Sequence, residues 1–116
     1  MPEEQDNILG RFQELENWEK LDFSDPTKLF GGGSCYVYDS LPFTYAWFLK
    51  NPTLDGMFDC ISAGGDADSN GSMFGAMLGA REGMSVFPDY LITGLQNSQE
   101  VLSLADEFCN KLGIKE

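Results

Sequence analysis

In Gly64-Gly65-Asp66-Ala67-Asp68-Ser69-Asn70-Gly71, two carboxylates stand two residues apart, a hydroxyl follows directly, and glycines close both sides. Such an oxygen-rich loop suits a hard divalent cation, since Mg²⁺ and Ca²⁺ take carboxylate, hydroxyl, carbonyl and water oxygens. Small and apolar residues then run to Ala80, and Gly71, Gly75, Gly79 and Gly83 recur every fourth residue. On a helix that spacing places them along one face. A face without side chains lets another backbone, or a ligand, approach closely. The loop is thus placed at the N-terminus of a helix, where free N–H groups and the dipole favour carboxylates and phosphates.

The segments on either side also read as helices. Upstream, Thr53 caps a helix with Leu54, Met57, Phe58 and Ile61 on one side, which Gly64-Gly65 stops. Before it, Leu41 to Leu49 is apolar nearly all round, the mark of a buried helix. Asp39 or Ser40 can cap that helix, Pro42 is tolerated in its first turn, and Asn51-Pro52 ends it. Residues 7–21 carry Ile8, Leu9, Phe12, Leu15, Trp18 and Leu21 at helical spacing, which predicts an amphipathic helix with one face in the core. Asp22 to Gly33, with Pro26 and three consecutive glycines, reads as a connector. Downstream, the glycine-striped helix runs to about Met84, and Pro88 opens a short helical stretch with Tyr90, Leu91 and Leu95. Val101, Leu102, Leu104, Ala105, Phe108 and Leu112 form a last amphipathic helix ending at Gly113. Nowhere does a period-2 strand stand between turn signals. The pattern predicts an all-α fold and a single helical domain over residues 1–116.

Composition narrows the function classes. The net charge of −12 argues against nucleic-acid or anionic-membrane binding, both of which need a basic surface. With no histidine, the commonest general base and the usual zinc ligand are missing. Cys35, Cys60 and Cys109 are far apart, odd in number and form no CxxC pair, which fits reduced, mostly buried thiols in a cytoplasmic protein. The acidic N-terminus is no signal peptide, and no apolar run approaches the roughly 18 residues of a membrane span.

The acidic loop supports three readings. Asp66 and Asp68 could serve only as capping and first-turn acids that stabilise the helix dipole. An EF-hand would match Asp66, Asp68, Asn70 and Gly71 to its positions 1, 3, 5 and 6, but Met77 would fall where the bidentate glutamate belongs. Gly31-Gly32-Gly33-Ser34 has neither the Lys-Ser/Thr ending of a P-loop nor a dinucleotide fingerprint, and taken alone reads as a flexible loop.

The third reading is a resemblance. Residues 64–80, Gly-Gly-Asp-Ala-Asp-Ser leading into a Gly- and Ala-rich helix, resemble the C-terminal metal motif of the ADP-ribosylglycohydrolases. That family includes the dinitrogenase-reductase-activating glycohydrolase and the ADP-ribosylarginine hydrolases. Gly33 to Leu41 with Ala46-Trp47-Phe48-Leu49 looks like the family's segment before the motif, and Phe87-Pro88-Asp89-Tyr90-Leu91 with the closing helix like the segment after it. The resemblance spans roughly residues 31–112 and implies the C-terminal portion of an all-α, orthogonally packed helical bundle.

It further implies a binuclear Mg²⁺ site, with Mn²⁺ in some members, that hydrolyses the bond between ADP-ribose and its acceptor. By resemblance Asp66, Asp68 and Ser69 are metal ligands, Gly64 and Gly65 shape the turn beside the substrate, and Ser34 and Tyr36 line the same cleft. The family's other ligands come from an N-terminal Thr-Asp-Asp type motif, and here no threonine precedes two acidic residues. The expectation is therefore half a metal site, weak Mg²⁺ binding and negligible hydrolase activity by this chain alone. A separately encoded N-terminal half, or self-association, would complete it around ADP-ribose or an ADP-ribosylated substrate. The alternative is a degenerate, non-catalytic member acting as a binding or scaffold domain.

Overall fold

The structure, a computed structural model, describes residues 2–114, with side chains from residue 8 onward. Among the described residues there are six α-helices and no strand, as the sequence pattern predicts. The chain divides into two compact units, Met1–Val86 and Phe87–Glu116.

In the first unit, α1 (Pro2–Leu15) packs on α2 (Val37–Lys50), and α4 (Ala67–Glu82) packs on both α2 and α3 (Leu54–Ser62). Phe43 and Ala46 of α2, Cys60 of α3, and Phe74 and Leu78 of α4 are fully buried between them. Burying a phenylalanine or leucine contributes about 1.5–3 kcal/mol, so these few side chains carry much of the unit's stability. Phe74 meets the edge of Phe48 at 5.2 Å, and Phe12 of α1 meets Tyr45 of α2 at 6.0 Å. Lys50, ending α2, lies over the rings of Phe23 and Trp47 at 4.8 and 5.0 Å and ties the connector to the core.

Thr53 caps α3 as its sequence suggests, accepting the Gly56 N–H at 3.2 Å. Three boundaries differ from expectation. The first helix starts at Pro2 and stops at Leu15, because Glu16 and Asn17 bond three residues back and tighten its end; Trp18–Lys20 then forms a separate 3₁₀ turn. α2 starts at Val37, ahead of Asp39 and Ser40, so neither caps it and Pro42 falls inside the helix, where it has no N–H to return to the preceding turn. Two glycines of the stripe face α3 side chains: a Cβ on Gly71 would lie 3.0 Å from Ile61, and one on Gly75 3.7 Å from the Met57 sulfur. Gly83 lies past the helix end, as its cap.

The thiols divide by depth. Cys60 is fully buried, and burial pushes its pKa up to about 12, while Cys35 is exposed and Cys109 half-buried. Only Cys60 meets the expectation of a buried thiol. Thiolate is the reactive form, so at pH 8 Ellman's reagent should label Cys35 in the native protein and reach Cys60 only in denaturant. Labelling of Cys60 at the Cys35 rate would contradict the packing around it.

The second unit holds α5 (Asp89–Thr93) and α6 (Ser98–Leu112). Asn97 enters α6 with a left-handed backbone (φ 60°), and left-handed Gly113 closes it while Ile114 N–H bonds the Cys109 carbonyl at 2.9 Å. Val101, Leu104, Phe108 and Leu112 follow one another at helical spacing on α6 and are all exposed, Phe108 by 64%. Among the described residues no helix is long and apolar enough to cross a membrane.

Candidate functional site

The acidic turn rests on the glycine run. Phe30, Gly31, Gly32 and Gly33 all take left-handed backbone, with φ of 45°, 62°, 73° and 67°. Consecutive left-handed residues cost L-amino acids roughly 1–2 kcal/mol each, which glycine avoids; Phe30 offsets its share by burying its ring. Gly32 N–H bonds the Leu29 carbonyl at 2.9 Å, and Gly33 N–H bonds the Phe30 carbonyl at 3.2 Å. What looks in sequence like a flexible loop is a defined left-handed turn.

Its carbonyls face the acidic turn. Asp66 N–H bonds the Gly33 carbonyl at 2.8 Å, and a Cβ on Gly65 would lie 2.1 Å from the Gly32 oxygen and 2.6 Å from the Gly33 oxygen. Gly65, itself left-handed (φ 69°), is therefore the residue type this approach requires.

Behind the glycine turn stands Asp39. Its carboxylate is paired with Arg11 of α1 at 2.8 Å, accepts the Ser34 hydroxyl at 2.7 Å, and occupies the space a side chain on Gly31 would need. Neither Arg11 nor Asp39 is legible as a site residue in sequence, because their pairing joins α1 to the start of α2.

The acids themselves head α4. Asp66 holds the N-cap position without making a side-chain cap, which departs from a purely capping role. Asp68 is exposed and in the first turn; contact with the Asp66 carboxyl, followed by the Ser69 N–H at 2.9 Å, holds its carboxyl below the usual carboxylate range. Ser69 is exposed beside it. Gly64, Gly65, Asp66, Asp68 and Ser69 thus form one contiguous turn. Ser34 is turned onto Asp39, and Tyr36, half exposed, packs edge-on against Tyr38 at 4.8 Å. Both follow the glycine turn in sequence, on the segment that seats Asp66. Asn70 and Gly71 lie inside α4, which begins at Ala67, so no EF-hand loop forms. Among the described residues no three of His, Cys, Asp and Glu converge as a metal cluster.

An all-α unit with a Gly-Gly-Asp-x-Asp-Ser turn at the head of a glycine-rich helix defines a helical protein built around a polar, oxygen-lined turn. The ADP-ribosylglycohydrolase family model matches residues 3–115, and the chain belongs to that family. The match extends through α1, ahead of the segment whose motifs carry the resemblance. No curated protein and no solved structure matches the chain.

Proposed function

We propose that the Asp66–Ser69 turn is one half of the divalent-cation site of an ADP-ribose–acceptor hydrolase. The observation that carries this reading is the unused cap. Asp66 sits where its carboxylate could bond the helix N–H groups, yet it makes no such bond, and exposed Asp68 follows two residues on in the first turn. Two carboxylates at the head of one helix repel one another as anions, and a shared cation would offset that repulsion. Asp66, Asp68 and the Ser69 hydroxyl are oxygen donors of the kind Mg²⁺ or Mn²⁺ takes, three where an octahedral shell needs about six. In kind they fit the ion; in number they are half of its shell.

When bound, the metal polarises ribose oxygens and lowers the pKa of water. The residues of this chain hold the donors in place, Gly64 and Gly65 shape the turn, and Ser34, held on Asp39, and Tyr36 stand on the neighbouring segment as the candidate contacts to ADP-ribose. The remaining ligands come from another segment, an N-terminal half or a second copy. By itself the chain releases negligible ADP-ribose from ADP-ribosyl-arginine or ADP-ribosyl-serine. The second reading is a non-catalytic member of the family acting as a binding or scaffold domain.

Calorimetric titration with Mg²⁺ and Mn²⁺, beside Asp66→Ala/Asp68→Ala, tests the proposal. Weak binding that disappears in the double variant is the expected result. Equal binding by both proteins, or none by either, would remove the half-site; turnover comparable with a complete enzyme would overturn its incompleteness.

A further inference from the structure

Asn70 is fully buried inside α4, an unfavourable place for a carboxamide. Leucine has the same branched heavy-atom skeleton, with better helix propensity and no polar group to satisfy. Its Nδ2 donates to the Gly33 carbonyl at 2.9 Å, across 37 residues of sequence, while its Oδ1 is buried without a protein partner. Because the Gly33 oxygen can only accept, the amide orientation is set. That oxygen also takes the Asp66 N–H at 2.8 Å, and Asn70 N–H returns to the Asp66 carbonyl at 2.9 Å. The Asp66 peptide is thus held in a closed circuit: Asp66 to Gly33, Gly33 to the Asn70 side chain, and the Asn70 backbone to Asp66.

We infer that Asn70 is the positioning residue of the acidic turn: its carboxamide, anchored on Gly33, locks Asp66 onto the glycine turn and so fixes how the Asp66 and Asp68 carboxylates present themselves to a cation. The circuit stands on hydrogen bonds alone; its consequence for the cation rests on the half-site reading. Asn70 is not itself a ligand in this arrangement. A half-empty shell makes such fixing more important, since few donors must then converge without help from the rest.

The test uses the full chain and two readouts. Amide exchange of Asp66 is compared with that of Phe74 in wild type, Asn70→Leu and Leu78→Ala, and Mn²⁺ affinity is measured by water-proton relaxation. In Asn70→Leu the Asp66 amide should exchange about tenfold faster relative to Phe74, and Mn²⁺ affinity should fall about fivefold or more. Leu78→Ala, which weakens the same helix away from the turn, should speed both amides together and leave the affinity alone. Asn70→Ser, which removes the reach without adding bulk beside Phe43, gives the same comparison should the leucine variant not fold. An unchanged exchange ratio in the Asn70 variants overturns the anchor. A changed ratio with unchanged affinity overturns the positioning role. If wild type takes up no Mn²⁺, the half-site reading falls while the exchange ratio still decides the anchor.

Discussion

Gly33→Ala is expected to cost the first unit about 3–5 kcal/mol, a large fraction of the stability of a small domain. Two effects add. Gly33 has φ of 67°, and an alanine Cβ there would lie 2.5 Å from the Phe43 ring and 2.8 Å from the Asn70 amide. Both neighbours are fully buried, so neither can step aside without opening the core. Gly64 provides the control, with φ of 94° and nothing within 4 Å of its missing Cβ. Gly64→Ala should cost only backbone strain, about 1–2 kcal/mol. Urea unfolding followed by intrinsic fluorescence separates the two, and equal losses would mean that packing at Gly33 is looser than its contacts imply.

The second large effect runs against helix propensity. Gly56 lies within α3, where alanine should gain about 1 kcal/mol if the helix alone decided. Its missing Cβ, however, would stand 1.8 Å from the Asn51 carbonyl oxygen and 2.9 Å from the Asn51 carbonyl carbon. These are backbone atoms of the link between α2 and α3, and no side-chain rotation relieves the clash. Gly56→Ala should therefore destabilise by about 3 kcal/mol or more, with the Thr53 cap lost as the link shifts. A stabilised variant would show that the link yields freely.

The contrast between these glycines marks what the sequence discloses. Local chemistry was readable: the Thr53 cap, the Gly113 stop, the apolar run through Trp47 and the grouping of Asp66, Asp68 and Ser69 all depend on neighbours within a turn or two. Contacts across long separations were not. Asp39 suggests a helix cap until Arg11 is found beside it. The glycine triplet suggests slack, because a left-handed turn has no side-chain pattern to announce it. Asn70 fits a candidate calcium-loop position until its amide is seen on Gly33. The acidic turn itself was therefore legible, while the floor beneath it was not: that floor is made of backbone carbonyls.

The ion pair between Arg11 and Asp39 carries a practical consequence for anyone preparing this protein. Through Asp39, α1 is connected in series with Ser34, the glycine turn and finally the Asp66 amide. An expression clone begun after Leu15, chosen to trim an acidic N-terminal tail, would remove the counter-ion and leave the Asp39 carboxylate, only 15% exposed, without its charge partner. The damage would surface some distance away, as a loosened acidic turn, and could be mistaken in a metal titration for a property of the turn itself.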